Sequence, residues 1–192
     1  MAPGGLPVIA VRLAGSGGQG IQLAGVVLAE AAIAAGWNAA CMQTYGPESR
    51  GGASRCDVVL DRGEIYFPQA RHPDVLVALS ADACRCFLPD VRPGGLVLCD
   101  AVAMVETPPS HLHCRALPMV ETARTVGTPL VANVVALGAL CALTELVPLD
   151  VLARALAARR PEPRNQQALQ AGFSLGEAAR LDDGSPVGEE RG

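Results

Sequence analysis

Short apolar runs alternate with longer mixed segments along the first half of the chain. The runs at residues 7–13, 74–79 and 96–99 are almost continuously apolar, which predicts strands buried on both faces of a parallel sheet. A helix rich in Ala, Leu and Val is predicted over residues 21–35 and ends at Gly36. This alternation of strands and helices favours one α/β domain with a mainly parallel sheet flanked by helices.

A β-hairpin insertion is predicted beside this sheet. Residues 38–43 form a candidate second strand, and residues 53–60 form a further strand. A turn at residues 61–64 then leads to a short strand at residues 65–67. We interpret the strands on either side of that turn as the hairpin.

The second half of the chain is mostly helical in pattern. Ser80 is a candidate cap for a helix at residues 81–88, and residues 112–117 predict another strand. Further helices are predicted at residues 119–125, 131–144, 149–159 and 164–171, the last ended by Gly172. The folded domain is therefore expected to span residues 1–180, followed by a polar, disordered tail at residues 181–192.

Composition narrows the class of partner. Half of the 192 residues are hydrophobic and 18% are charged, which excludes disorder for most of the chain. The net charge is −4, all 15 basic residues are Arg, and the aromatic residues are three Phe, two Tyr and one Trp. An acidic chain without a basic cluster or many aromatic side chains is a poor partner for nucleic acid. The lack of lysine also excludes Schiff-base chemistry.

We expect a cytoplasmic protein without a membrane segment. The longest apolar run, residues 131–143, falls short of the roughly 20 residues that a membrane-spanning helix needs. The first residues lack the basic region and the apolar run of a signal peptide.

The seven cysteines predict no metal site. Their number is odd and no CxxC spacing occurs, so we interpret them as small buried hydrophobic residues in a reducing compartment. Zinc and iron–sulfur sites usually need tighter, repeated spacing. The three histidines, His72, His111 and His113, are expected to be structural or surface residues. No nucleophile, base and orienting group can be assembled from the sequence, so its catalytic residues are unknown.

A glycine-rich turn follows the first strand and precedes the first helix. The turn contains Gly15, Gly17, Gly18, Gln19 and Gly20 in a GxGxxG pattern. Such a turn allows close approach of the backbone to an anion at a helix N-terminus. No acidic residue ends the second strand to hold a ribose, which disfavours a nicotinamide dinucleotide, and no lysine completes a P-loop. Close packing of strand against helix remains an alternative explanation.

A second unusual segment joins the predicted second strand to the hairpin. It consists of Tyr45, Gly46, Pro47, Glu48, Ser49, Arg50, Gly51 and Gly52. Glu48 and Arg50 can pair with each other, or Arg50 can bind a carboxylate or phosphate in a fork geometry. Loops that follow parallel strands border the ligand crevice of open α/β sheets, so a functional or intersubunit role is favoured over an ordinary solvated loop.

Asn133 stands at the start of the most apolar predicted helix. It is expected to be the N-cap of that helix, and the alternative is a hydrogen bond to a cofactor or a neighbouring subunit. Val134, Leu137, Leu140 and Cys141 recur at helical spacing, which predicts a face in the core or in a subunit interface.

Together, these segments resemble the gamma subunit of 2-oxoacid:ferredoxin oxidoreductases. The two glycine-rich segments carry the resemblance, and further matches lie at residues 74–80, 93–95, 133–140 and 165–172. The resemblance extends over residues 8–173, and the Tyr45–Gly52 segment is most similar to the 2-oxoglutarate branch. It implies a Rossmann-like gamma-type domain.

The resemblance implies a subunit of an enzyme that is not catalytic alone. Complexes of this family oxidatively decarboxylate a 2-oxoacid, transfer the acyl group to coenzyme A and pass the electrons to ferredoxin. Thiamine diphosphate with Mg is then expected on the alpha and beta subunits, and the 4Fe-4S clusters on the beta subunit or on a ferredoxin-like delta subunit. This chain would bind no cofactor alone, and coenzyme A would be a substrate of the complex.

Two groups of alternatives remain open at this point. The gamma subunits that act on pyruvate, 2-oxoisovalerate or indolepyruvate are related, so the substrate could be one of those acids. A stand-alone Rossmann protein that binds NAD(P) or coenzyme A is the second alternative, and it predicts ligand binding by the isolated chain.

Overall fold

The computed structural model describes residues 8–44, 53–104 and 108–181. The strands are β1 (Ile9–Gly15), β2 (Asn38–Thr44), β3 (Ser54–Asp61), β4 (Val75–Ala78), β5 (Leu96–Asp100) and β6 (His113–Leu117). The helices are α1 (Ile21–Ala34), α2 (Ala81–Phe87), α3 (Met119–Val126), α4 (Ala132–Thr144), α5 (Leu149–Arg159) and α6 (Pro163–Leu181). The Tyr45–Gly52 segment and nearly all of the predicted polar tail lie outside the described residues.

The strands form one mixed sheet in the order β2-β3-β1-β4-β5-β6. The neighbours β1 and β4, β4 and β5, and β5 and β6 are parallel, whereas β3 is antiparallel to both β1 and β2. β3 is thus the one described strand that runs against the others. The prediction of an α/β domain with a mainly parallel sheet and flanking helices is confirmed.

The hairpin is built from different strands than the sequence suggested. β3 pairs with β2, which precedes it, and residues 65–67 form no strand. Both edges of β3 are already occupied, one by β1 and the other by β2, so no edge remains for a third partner. The backbone N–H of Gly63 donates to Asp61 Oδ1 over 2.8 Å in a turn that ends β3. Tyr66 and Phe67 are left exposed.

The helices cover the two faces of the sheet unequally. Val11, Val58, Val77 and Leu98 lie in a large core that also includes buried side chains from α1, α3, α4, α5 and α6. The opposite face has a smaller core, in which strand residues such as Leu76 pack against α2. Among the described helices, five therefore contribute to one core and one to the other.

Helix α4 is buried from Ala132 to Leu143, and α6 lies directly against it. A Cβ on Gly172 of α6 would lie 2.0 Å from the backbone oxygen of Val135, and a Cβ on Gly138 would lie 2.2 Å from the oxygen of Leu169. The apolar face predicted at α4 is thus part of the core of this chain. The sequence-based end of α6 at Gly172 is wrong, because this glycine serves close helix packing and the helix continues to Leu181.

A buried ion pair connects β1 to β3 beneath α2. Arg12 donates to Asp57 from Nε over 2.7 Å and from Nη2 over 3.0 Å, and its Nη1 donates to Asp90 over 2.6 Å. Arg12 and Asp57 are each only 2% exposed, so this ion pair is shielded from water. Burial acts to lower the pKa of Arg12, but the hydrogen bonds and charges of Asp57 and Asp90 outweigh it and raise that pKa.

Candidate functional site

The glycine turn, residues 15–20, joins the end of β1 to the start of α1, as predicted. Gln19 fastens it internally, because its backbone N–H donates to the Ser16 oxygen and its side-chain Oε1 accepts from the Ser16 N–H over 2.6 Å. Its Nε2 also donates to the oxygen of Leu79 over 3.1 Å. Leu79 directly follows β4, so Gln19 holds the turn against the neighbouring parallel strand.

Three glycines of the turn are required by the fold itself. Gly18 and Gly20 have φ angles of 86° and 68°, in the left-handed region that other residues rarely adopt. A Cβ on Gly20 would also lie 2.5 Å from Asn133 Nδ2. Gly15 is constrained by space, because a Cβ there would lie 2.5 Å from Gln19 Oε1. Packing therefore accounts for Gly15 and Gly20.

Gly17 has no such explanation within the described residues. Its φ lies outside the left-handed region, and a Cβ built on it would have no heavy atom within 4 Å. A side chain at this position would meet no described residue of the chain. Packing among the described residues therefore gives no reason for a glycine here, which leaves space for a ligand or for another segment.

Asn133 reaches the glycine turn from α4. Its Nδ2 donates to the backbone oxygen of Gly20 over 3.0 Å, and the residue is only 4% exposed. The prediction that Asn133 caps α4 is wrong, because the helix begins at Ala132 and Val131 occupies the cap position. The 3₁₀ turn Pro129–Val131 starts the helical backbone before Asn133, which releases its side chain for this contact.

The start of α1 consequently lies close to the first turn of α4, whose helical backbone continues from the Pro129–Val131 turn. Gly20 is the residue before α1, and Asn133 lies in the first turn of α4. Neither first turn contains an acidic residue, and no side chain caps α1. Backbone N–H groups and the helix dipole at a solvent-exposed helix N-terminus stabilise a negative charge by roughly 0.3–1 kcal/mol. The arrangement favours an anion or a polar group of a neighbouring chain.

The Tyr45–Gly52 segment is flanked by residues that lie beside the glycine turn. Gly15 pairs with Ser54 at the start of β3, and Thr44 at the end of β2 pairs with Arg55. All eight predicted site residues of that segment lie outside the described residues, so their own positions remain predictions. What the structure places are the two strand ends on either side of them.

Gln22 is a site residue that the sequence analysis missed. Its Nε2 donates to Ser54 Oγ and to the oxygen of Arg55, both over 3.1 Å, so it connects the first turn of α1 to the start of β3. Its Oε1 is buried and accepts no hydrogen bond from the described residues. Its contact with Ser54, 32 residues further on, has no local sequence signal.

Cysteines and histidines do not gather around this turn. Cys56, Cys84, Cys99 and Cys141 are buried as predicted, whereas Cys41 is exposed and Cys86 and Cys114 are half-buried. Among the residues that the structure describes, no three His, Cys, Asp or Glu side chains are grouped closely enough to hold a metal ion.

A second feature lies beside β2, on the part of the α2 side of the sheet that α2 does not cover. Tyr66 and Phe67 are 78% and 83% exposed, although burial of such side chains is normally favourable. A cavity of about 440 Å³ is lined by Met42, Phe67, Pro68, Gln69 and Arg71. We call these residues, together with Tyr66, the aromatic surface.

In the described part of the chain, no helix has the length and apolar character needed to cross a bilayer.

Comparisons with known proteins agree on one family. The family model described as "Pyruvate ferredoxin/flavodoxin oxidoreductase" matches residues 10–175. A 2-oxoglutarate synthase subunit, KorC, from Archaeoglobus fulgidus is 40% identical over 170 residues, covering 86% of this chain and 87% of its own.

Solved structures give the same result. The gamma subunit of a keto/oxoacid ferredoxin oxidoreductase from Geobacter sulfurreducens is 39% identical with a TM-score of 0.79, covering 88% of this chain and 99% of its own. The 2-oxoglutarate:ferredoxin oxidoreductase from Magnetococcus marinus, solved with 2-oxoglutarate, coenzyme A and succinyl-CoA bound, is 25% identical with a TM-score of 0.81. The match covers 90% of this chain but 32% of that one, so there the same domain is part of a longer polypeptide.

Proposed function

Because the chain belongs to the pyruvate ferredoxin/flavodoxin oxidoreductase family, we propose that it is the gamma subunit of a 2-oxoglutarate:ferredoxin oxidoreductase. The observation that carries the proposal is its 40% identity to a 2-oxoglutarate synthase subunit over most of both chains. The complex would decarboxylate 2-oxoglutarate, transfer the succinyl group to coenzyme A and pass both electrons to ferredoxin. The gamma subunit would not catalyse this reaction alone.

In this proposal, the cofactors of the reaction are held by partner subunits. Thiamine diphosphate with Mg would be held by the alpha and beta subunits, and 4Fe-4S clusters by beta or a ferredoxin-like delta subunit. Ferredoxin would be the external electron acceptor, and the complex would be cytoplasmic. The task left to the chain described here is to complete the complex and to shape part of the site for coenzyme A.

The glycine turn is our candidate for a contact with coenzyme A. Coenzyme A carries several phosphate groups, and the turn combines backbone N–H groups with the positive end of α1. Gly17 leaves open space at the position where a phosphate would approach. Nearby acidic side chains would repel a phosphate, and the first turns of α1 and α4 contain none.

The Tyr45–Gly52 segment would complete this site. It leaves β2 after Thr44 and returns before Ser54, which pairs with Gly15 of the turn. Arg50 would orient an anionic group, either a phosphate of coenzyme A or a carboxylate of a neighbouring subunit, in the fork geometry that guanidinium groups favour. Tyr45, Glu48 and the glycines of the segment would shape the surface around it.

The aromatic surface is our candidate for a subunit contact. Two adjacent aromatic side chains that are almost fully exposed are unfavourable in water, and such residues are enriched at the centres of protein interfaces. They lie beside a cavity that an apolar side chain of a partner could fill. In the Magnetococcus relative, the corresponding domain is covalently joined to the rest of its protein, whereas a separate subunit is held in its complex by surface contacts alone.

The decisive experiment is anaerobic purification of the chain from its own cells, followed by native mass measurement and identification of the chains that co-purify. We expect a complex with thiamine- and cluster-binding subunits that reduces ferredoxin fastest with 2-oxoglutarate, when compared with pyruvate, 2-oxoisovalerate and indolepyruvate. A complex that prefers another 2-oxoacid would refute the substrate and retain the family role. Recovery of the chain as a lone monomer that binds NAD(P) or coenzyme A would refute the gamma-subunit proposal.

A further inference from the structure

A pair of cysteine thiols lies across the β2–β3 hairpin, away from the glycine turn. Cys41 Sγ and Cys56 Sγ are 3.2 Å apart, within hydrogen-bond distance of each other. Cys41 pairs with Val58 in the ladder and Cys56 with Gln43, so the two cysteines are diagonal neighbours on one face of the hairpin. Both are thiols in this structure. A disulfide needs the sulfur atoms at about 2.05 Å, so the two thiols have to approach each other by roughly a further 1.1 Å to form a bond.

Helix α1 leaves room for the two sulfur atoms. A Cβ on Gly25 would lie 2.2 Å from Cys56 Sγ and 3.6 Å from Cys41 Sγ. Any residue larger than glycine at this position would occupy the space of the thiols. The helix therefore approaches the sheet closely at the point where the sulfur atoms meet.

The two cysteines differ in exposure, as the attacking and resolving thiols of a redox pair do. Cys41 is exposed on the edge strand, whereas Cys56 is fully buried on β3. A hydrogen bond from the Cys56 thiol, assisted by one from Gln43, lowers the pKa of Cys41 to about 7 although burial acts to raise it. The same contact and burial raise the pKa of Cys56. The exposed and more acidic Cys41 is thus the candidate for the attacking thiolate, and the buried Cys56 is the candidate for the resolving thiol.

We propose that Cys41 and Cys56 form a peroxide-sensitive modification site that closes into an intramolecular disulfide. The Cys41 thiolate attacks one oxygen of a hydroperoxide, which breaks the O–O bond, gives a sulfenic acid on Cys41 and releases an alkoxide or hydroxide that takes a proton from water. Cys56 then displaces water from the sulfenic acid to form the disulfide. In sum, two thiols lose two electrons and two protons, and the peroxide is reduced to water and an alcohol, or to water alone.

This site does not depend on the proposed enzymatic role of the chain. It would tie together the strands that lead into and out of the Tyr45–Gly52 segment, because Cys41 lies on β2 before Thr44 and Cys56 lies on β3 after Ser54. Reduction by a dithiol would restore the starting state.

The chain contains a matched control pair. Cys84 Sγ and Cys99 Sγ are 3.0 Å apart, as close as the proposed pair, but both residues are fully buried between α2 and β5. If proximity alone decides oxidation, both pairs will react at similar rates. If exposure of one thiol decides it, the hairpin pair will react first and the buried pair will stay reduced.

The test uses the full chain, purified reduced and without oxygen, then treated with a small excess of hydrogen peroxide and blocked with an alkylating reagent. We expect a mass loss of about 2 Da, a disulfide-linked peptide pair containing Cys41 and Cys56, and full reversal by dithiothreitol. The oxidation rate should rise about fivefold from pH 6 to pH 7 and only about twofold from pH 7 to pH 8, as expected for a thiol of pKa about 7.

Two variants separate the proposed roles. Cys41→Ser should abolish the disulfide and leave Cys56 a thiol. Because Cys41 is exposed, this variant should fold like the unaltered chain. Cys56→Ala should let the sulfenic acid on Cys41 accumulate, where a dimedone probe traps it. Sulfinic acid on Cys41 of the unaltered chain without a link to Cys56, or oxidation of Cys84 and Cys99 at the same rate, would overturn the proposal.

Discussion

The side-chain amide of Asn133 donates a hydrogen bond to the backbone oxygen of Gly20, 113 residues earlier in the chain. This oxygen also accepts the N–H of Ala24, so it belongs to the first turn of α1 as well. One side chain thereby links the start of α1 to the first turn of α4. The candidate anion site lies at the start of α1, so it depends on this link.

Replacement of Asn133 by Ala should weaken this junction. The Gly20 oxygen keeps its bond to Ala24, so the loss is one buried hydrogen bond and a small cavity, or about 1–2 kcal/mol of unfolding free energy. Urea denaturation of the full chain measures it. Thr144→Ala, which removes a side-chain hydrogen bond at the other end of α4, serves as the control for a purely local effect. Equal losses in both variants would argue against a special role of the junction.

Gly17→Ala should separate ligand binding from folding. The added methyl group meets no described atom, so we expect stability within about 0.5 kcal/mol of the unaltered chain. In the assembled complex, we expect the KM for coenzyme A to rise about tenfold or more, with little change in the KM for the 2-oxoacid.

Gly20→Ala is the counterpart of this variant. The left-handed backbone and the contact with Asn133 predict a loss of about 1–3 kcal/mol in unfolding free energy. If Gly17→Ala leaves the kinetics with coenzyme A unaltered, the glycine turn does not contact that substrate.

Arg50→Ala should reduce turnover of the complex without dissociating it, if Arg50 orients an anionic group. A charge-assisted bidentate contact contributes roughly 1.5–3 kcal/mol, which corresponds to about a ten- to hundredfold effect on kcat/KM. Arg50→Lys keeps the charge and loses the fork geometry, so it should recover only part of the activity. Assembly and kcat/KM both equal to those of the unaltered complex would refute the role of Arg50.

A Tyr66→Ser, Phe67→Ser double variant should leave the isolated chain folded and weaken its binding to the partner subunits. Both side chains are exposed and contribute little to the core, whereas aromatic residues at an interface typically contribute about 2 kcal/mol or more each. Sedimentation of the reconstituted complex measures the loss. Val102→Ser, at a side chain that is 86% exposed in the turn after β5, provides the matched control. Equal assembly of both variants would exclude the aromatic surface from the interface.

Arg12→Met should be among the most destabilising single changes in the described part of the chain. It leaves the buried Asp57 carboxylate without its principal partner, which costs about 3–5 kcal/mol. Combining it with Asp57→Leu should restore part of that loss, because no unpaired charge is left at that position. Thermal unfolding of the single and double variants tests this, and simple additivity of the two single losses would contradict it.

The parts of the fold that were predictable from sequence depend on local patterns. The apolar runs of β1, β4 and β5, the turn at Gly15–Gly20 and the cap at Ser80, whose hydroxyl accepts from the N–H of Ala83, all carry their signal within a few residues. The resemblance to the family rests on similar short segments. Such local signals predict which elements form and where they begin and end, and the order of these elements indicates the layer architecture.

The remainder depends on contacts between residues far apart in sequence. The antiparallel direction of β3, the contact of Asn133 with Gly20 and the pairing of Arg12 with Asp57 join residues separated by tens of positions. Gly172 resembled a helix stop because the actual reason for this glycine, its close contact with α4, involves residues that are distant in sequence. For Tyr45–Gly52, the sequence gives the chemistry of the segment, and the structure places the strands on either side.

The backbone contact between α4 and α6 has a consequence for how this module can be joined to other proteins. Helix α4 is apolar over nearly its whole circumference, so other parts of the same chain have to shield it from water. Helix α6 packs against α4 and is the last of these parts to be synthesised. A gene fusion or truncation that removed residues after Arg160 would expose α4 to water and to other nascent chains. Fusions on the carboxyl side should therefore be tolerated only after the part of α6 that packs against α4, which extends at least to Gly176.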